Sequence, residues 1–218
     1  MNTKRCLLFV GTVLLCANAV FAQGYPTKPV RLMVPYPPGG GTDIIGRILA
    51  QKLTESLGQQ VVVENRGGAG GAIGTELAAK APADGYLILM APTSHVINPS
   101  IYAKLPYDTA RDFVPITLAA SASILLAVHP SVPVKSVNEL ITLAKVRPGE
   151  LNFGSAGNGT VFHLAGELFK RQANISFNHV PFKGGGPAVA ALVAGQVTMA
   201  FETILTLHPF VQSSKVRP

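Results

Sequence analysis

Short apolar runs along this chain are each followed by a glycine-rich corner and then by a stretch with helical spacing. VRLMV (residues 30–34) reads as a buried strand, and the amphipathic stretch after it predicts a helix over 42–57. Thr42 or Asp43 can cap that helix, because either side-chain oxygen can accept an orphan N–H bond. QVVVEN (60–65) is β-branched and reads as a second strand. RGGAGGAIG (66–74) is another glycine turn, and TELAAKA (75–81) is a helix that Pro82 stops. YLILMAP (86–92) is continuously apolar and is expected to be a strand buried on both faces. A β-α-β-α-β order predicts a parallel sheet with right-handed crossovers.

The polar cluster Thr93, Ser94, His95 and Asn98 follows that third strand, where open α/β sheets bind ligands. Residues 112–130 read as two extended pieces, with a domain crossover in the small-residue stretch 118–123. A second α/β unit then begins. Ser136 and Glu139 form a capping box, and Pro148-Gly149 ends the helix they start. Strand, glycine turn and helix follow twice, in 150–172 and 175–195. QVTMAF (196–201) is one more strand, and 204–215 predicts a short helix.

The chain has 218 residues, 48% of them hydrophobic and 13% charged, enough for one large or two small domains with a real core. Residues 1–22 are read separately, as a secretory signal peptide. Lys4 and Arg5 precede the apolar run CLLFVGTVLLCANAV, and cleavage is expected after Ala22. An uncleaved anchor is the alternative, and a lipoprotein site at Cys16 is disfavoured by the bulky Leu15. Both cysteines, Cys6 and Cys16, lie in this segment, so the exported chain would carry no disulfide, cysteine nucleophile or thiolate metal site. Its loss removes two positive charges from a formal net charge of +7. The remaining basic residues are scattered, which argues against nucleic acid and is compatible with an anionic small ligand.

Three corners are alike: PYPPGGGTD (35–43), GSAGNGT (154–160) and PFKGGGPA (181–188). Each follows a strand and opens a helix, so each offers bare N–H groups at a positive helix end, where an anion can bind. A tight turn that merely needs glycine is the alternative for any one of them. No Walker-type, dinucleotide or nucleophile-elbow motif is present; Phe153 stands where an elbow around Ser155 needs glycine. The five histidines lack metal spacing. His163 falls on the first turn after GSAGNGT, placed either to touch a ligand or to lie half-buried on the helix. His179 reads as structural, Asp43 as a cap rather than a base, and Glu202 as a lone carboxylate at a strand end that could face a cleft. A hydrolase or transferase would need a nucleophile with a base in reach, and no such constellation is visible. The reading is therefore of a non-enzyme without cofactor or metal.

Taken together, PYPPGGGTD, VVVENRGGAGGAIGTELAAKAPADGY, TSHVINPSIY, LNFGSAGNGTVFHLAGELFK and HVPFKGGGPAVAALVAGQV resemble the Bug-type periplasmic solute-binding proteins of tripartite tricarboxylate transporters. The resemblance covers nearly all of the chain after the signal. It implies an α/β type II periplasmic binding protein fold, with two domains around a ligand cleft (23–120 and 121–214). It also implies capture of a small carboxylate by loop amides and bridging waters, and membrane permease subunits as partners. The residues it places at the ligand are Pro37, Pro38, Gly39, Gly40, Gly41 and Thr42; Thr93, Ser94, His95 and Asn98; Ser155, Ala156, Gly157, Asn158, Gly159, Thr160 and His163; and the 181–185 loop with Lys183, Gly184 and Gly185. Lys183 either offers a charge or is simply solvated.

Two departures from the family pattern stand out. Glu202 occupies a position where the family commonly carries aspartate, and its extra methylene would change the distal group accepted. The family fold also crosses back to finish its first domain, and that return is expected near Lys215, so residues 215–218 read as its start and the first domain as incomplete. An incomplete domain would aggregate or bind weakly. A ligand sensor feeding a membrane sensor kinase, and a non-functional fragment, are the other readings.

Overall fold

The computed structural model describes residues 24–218; the expectations on the signal peptide, its cleavage site and the two cysteines lie outside the described residues. The first unit runs β1 (Val30–Val34), α1 (Gly41–Leu57), β2 (Val61–Asn65), a 3-10 turn (Ala69–Gly71), α2 (Ala72–Ala79), β3 (Leu87–Leu89) and α3 (Ser94–Ile101). Its three strands are all parallel in the order β2-β1-β3, with β1 in the centre. Val30, Leu32 and Val61 from the strands pack with Ala50 of α1 into one core. Helix α1 ends as its sequence predicts, on Gly58 in the left-handed region, whose N–H bonds Thr54 O.

The second unit runs β4 (Ile124–Val128), α4 (Val137–Val146), β5 (Asn152–Ser155), α5 (Val161–Ala173), β6 (Asn178–Pro181), α6 (Gly185–Val193), β7 (Met199–Thr203) and α7 (Ile204–Gln212). Its sheet has the order β4-β7-β5-β6, with β4 antiparallel and the rest parallel. The capping box forms: Ser136 Oγ accepts from Glu139 N at 3.2 Å, and Glu139 Oε2 accepts from Lys135 N at 2.7 Å. One face of the sheet buries Phe153, Phe177, Met199 and Phe201. The other buries Val189, Leu192, Ala200 and Leu207, together with Val216 from beyond α7. Arg217 continues from there into an antiparallel bridge with Val128.

Three expectations are corrected. Strand β3 is not buried on both faces: it is three residues long, half-buried, and pairs only with β1 among the described residues. Of the two extended pieces expected in 112–130, only the second enters a ladder, as β4. The first carries Val114, Ile116 and Leu118, which are 88%, 77% and 85% exposed. Finally, the cap of α1 is Gly40, not Thr42 or Asp43, and it makes no side-chain cap bond. Asp43 instead reaches back one turn, its Oδ2 accepting from Gly39 N at 2.9 Å.

The exposed period-two apolar stripe of Val114, Ile116 and Leu118, in an extended segment that pairs with no strand among the described residues, is a template for intermolecular pairing. We predict that the chain self-associates at micromolar concentration, measured by light scattering. The double variant Ile116→Lys, Leu118→Lys should move it toward monomer; a monomeric parent chain would contradict this.

Candidate functional site

The glycine corners sit at the C-terminal ends of β1, β5 and β6, and the two units meet there along two seams. In the first seam, the 37–41 loop lies on the start of α6. A Cβ on Gly40 would stand 3.5 Å from both Gly185 N and Gly186 N, one on Gly184 would stand 2.9 Å from Pro37 Cδ, and one on Gly186 would stand 2.9 Å from Pro38 O. In the second seam, a Cβ on Gly70 would stand 2.8 Å from Asn158 O, and one on Gly159 would touch the Ile101 side chain at 3.2 Å. Backbone thus lies almost directly on backbone, and glycine leaves the room for it. The helices α1, α5 and α6 all begin at these corners, capped by Gly40, Thr160 and Gly184. Their N-termini bring partial positive charge and unpaired N–H groups to one region.

A carboxylate is already there. Glu202, near the end of β7, is fully buried, and its Oε1 accepts from Thr203 N at 2.8 Å. Its Oε2 has no partner and lies hard against the Cα of Gly185, where no Cβ would fit. Burial pushes Glu202 up to about 7, the Thr203 N–H offsetting only part of this. Tyr36 lies close enough for Glu202's charge to raise it further, but its own burial is the main reason it reaches about 12, so its phenol stays neutral. The Tyr36 hydroxyl bonds Ser94 Oγ at 2.8 Å and donates to Gly70 O at 3.2 Å. Asn98, also fully buried, leaves Oδ1 unpartnered, 3.7 Å from where a Gly70 Cβ would be.

The remaining sequence candidates divide. Ser155, Ala156, Gly157, Gly159 and Thr160 are buried along the second seam, and Asn158 is exposed but presents its carbonyl to Gly70. Gly39 and Pro38 are exposed, and Pro37 and Thr42 half-buried, along the first. Thr93 and Lys183 are exposed. His95 packs away from the seams: it stacks on Tyr107 at 6.2 Å and meets the edge of Phe113 at 4.9 Å. His163 stacks at 4.1 Å on His179, and its Nδ1 accepts from Gly159 N at 3.2 Å, tying the helix to the corner.

Sequence reading misses three participants: Gly70, Tyr36 and His179. Gly70 belongs to a glycine turn that matches no nucleotide motif, yet its φ of +61° and its contact with Asn158 are what the second seam needs. His179 Nε2 is 2.6 Å from Ser155 Oγ, so a base does stand beside this serine. The register Phe153↔His179 on paired parallel strands makes the contact, and no local motif announces it. The pair is closed off: Ser155 is fully buried and its Oγ also accepts from Gly157 N at 3.1 Å. Burial first, and the neighbouring His163 second, lower His179 to about 4, so both rings are neutral near pH 7.

These shifts have opposite consequences. Glu202 is raised on folding from 4.5 to about 7, so its stabilisation is complete below pH 4.5 and is lost as the pH rises through 7. His179 is lowered from 6.5 to about 4, so its contribution is lost as the pH falls across that interval. Glu202→Gln removes only the first effect. It should melt within about 1 °C of the parent at pH 5 and at least about 3 °C above it at pH 8 by calorimetry. An unchanged difference across that range would contradict a buried titrating carboxyl.

Comparison with known proteins agrees with this architecture. A family model described as tripartite tricarboxylate transporter family receptor (TctC) matches residues 45–218. A curated protein of Pseudomonas sp. (strain P51), named for the tcbD-tcbE intergenic region, is 44% identical over 195 residues, covering 89% of this chain and 58% of its own. The solved structure of R. palustris Rpa4515 with adipate is 38% identical, with a TM-score of 0.87 over 89% of this chain and 66% of that one. The periplasmic binding protein BugD is 33% identical, with a TM-score of 0.82 over 88% and 64%. The chain thus spans 58–66% of the length of these relatives. Its fold is that of a periplasmic binding protein, as the resemblance implied, and its family is one of receptors and not of enzymes. On the extent of the family match and the likeness of the fold, this chain belongs to the tripartite tricarboxylate transporter receptor family, among the Bug-type proteins.

Proposed function

We propose that the chain is an exported solute-binding protein. It captures a small carboxylate-bearing metabolite between its two units, in the periplasm, and delivers it to the permease subunits of a tripartite tricarboxylate-type transporter. One observation carries the reading: Gly40 of the first unit faces the N–H groups of Gly185 and Gly186 of the second across a few ångströms. A carboxylate group held there would draw on the starts of α1 and α6 together, with no arginine needed. The relative Rpa4515, solved with adipate, supports the same ligand class.

Capture then follows from geometry without any bond being made or broken. A solute bound to both glycine corners interacts with both units only when the seams are closed. It therefore favours the closed form by its differential affinity. The bridging N–H groups on the protein side are those of Gly40 and Gly41 from one corner, Gly184 and Gly185 from the second, and Asn158 from the third; those of Gly39, Gly157 and Gly159 are held by Asp43, Ser155 and His163 and shape the corners instead. Ser94, held by Tyr36, and Thr160 line the same junction.

Isothermal titration against di- and tricarboxylates, amino acids and nicotinate-like acids tests the proposal, with heat expected from at least one. Gly186→Ala is the informative variant. It adds a Cβ 2.9 Å from Pro38 O and improves the helix propensity of α6. Affinity should fall by about tenfold or more, on the scale of roughly 1–3 kcal/mol of overpacking, while the melt of the empty chain holds or rises. No heat from any acid, or unaltered affinity in Gly186→Ala, contradicts the closure mechanism.

A further inference from the structure

The corner at 154–160 is held from behind by two stacked rings. His163, in the first turn of α5, and His179, in β6, lie face to face at 4.1 Å, and Phe153 of β5 stacks on His179 at 4.7 Å. Each histidine secures one N–H of the corner. His163 Nδ1 accepts from Gly159 N at 3.2 Å. His179 Nε2 is 2.6 Å from Ser155 Oγ, and that oxygen accepts from Gly157 N at 3.1 Å. The N–H between these two, on Asn158, makes no hydrogen bond among the described residues, and Asn158 is the one exposed residue of 155–160. The charged groups that face the rings are Glu167 and Lys170, both on α5 and paired with each other at 3.0 Å; β5 and β6 carry no charged residue. A proton on His163 Nδ1 would remove the lone pair that holds Gly159 N and would set a cation at a helix N-terminus.

We infer that His163 and His179 are positioning residues of the solute site: they take up the N–H groups on either side of Asn158 and leave the Asn158 N–H as the one this corner offers a solute. The inference rests on the junction being the solute site. Neither ring needs to touch the solute. His163 acts on the loop directly, His179 acts through Ser155, and the stack ties the start of α5 to β6 behind the corner. His163 can hold Gly159 only while Nδ1 carries no proton. Burial lowers His163 below 6.5, Glu167 opposing this and Lys170 adding to it. The hold is therefore complete at neutral pH and is lost as the pH falls through that lowered value, and solute affinity falls with it.

Two measurements test this. The first is amide hydrogen exchange followed by NMR on the empty chain. Relative to intrinsic rates, the Gly157 and Gly159 amides should be about tenfold or more better protected than Asn158 at pH 7, and Gly159 should lose most of that protection at pH 4.5. The second is calorimetric titration with adipate, the acid in the Rpa4515 structure, and with the acids of the wider panel. His163→Leu should weaken binding about tenfold at pH 7.5. His163→Asn puts a non-titrating Oδ1 where Nδ1 stood, so it should recover most of that loss. Between pH 7.5 and 4.5 the parent should weaken at least about threefold more than His163→Asn, a comparison in which the solute's own titration cancels. His179→Gln, with its amide where Nε2 stood, should likewise recover what His179→Leu loses. If a leucine variant does not melt cooperatively, the exchange profile and the pH profiles of the parent and His163→Asn decide. An unprotected Gly159 amide, leucine serving as well as asparagine, or matching pH profiles overturns the inference and leaves the proposed function standing. Absence of binding by every acid overturns both.

Discussion

The close approach of bare backbone to bare backbone at the junction is the constraint on which the rest depends. A Cβ on Gly186 would stand 2.9 Å from Pro38 O and one on Gly70 2.8 Å from Asn158 O, so neither position has space for a side chain, while Gly40 meets Gly185 and Gly186 at van der Waals distance. The strands and helices behind these corners are ordinary α/β units, each with its own apolar core. What distinguishes the molecule is that both units place their glycines at the same junction, where parallel strands end and helices begin. The same residues that make each turn possible also set how near the two units can come.

That proximity has an electrostatic consequence. Three helix N-termini brought together repel one another unless negative charge lies among them. Glu202 can supply such charge only above about pH 7, because its burial keeps the carboxyl protonated up to there. Asp43 plays a quieter part in the first unit. Burial would raise it, but bonds from Arg47, Gly39 N and Asn65 outweigh burial and hold it below the usual carboxylate range. Asp43 is satisfied and fixes the corner, whereas Glu202 keeps one buried oxygen without a hydrogen-bond partner, against Gly185. Two buried carboxylates, one in the first turn of a helix and one near the end of a strand, thus have pKa values shifted in opposite directions because of their partners.

Much of this is legible from the chain alone. The alternation of apolar runs with glycine corners locates nearly every strand and helix, because local periodicity and capping residues such as Ser136 and Gly58 act within a few positions. The corners stand out for the same reason. What pairing across distant residues creates does not stand out. The Ser155–His179 bond depends on strand register, Tyr36 on a hydroxyl aimed at Ser94, and Gly70 on a contact with the opposite unit. The half-buried state of β3 depends on which strands stand beside it, which its apolar sequence cannot report. Among the ligand candidates, His95 misleads for a similar reason: a polar residue after a strand end turns instead into an aromatic nest built from Tyr107 and Phe113.

The most direct measurement is a crystal structure of this chain with a bound four-carbon dicarboxylate. The account predicts electron density for the carboxylate between Gly40–Gly41, Gly157–Gly159 and Gly184–Gly186. A solute seated anywhere else, such as the groove between α1 and β2 lined by Arg47, Gln51 and Gln60, would contradict it.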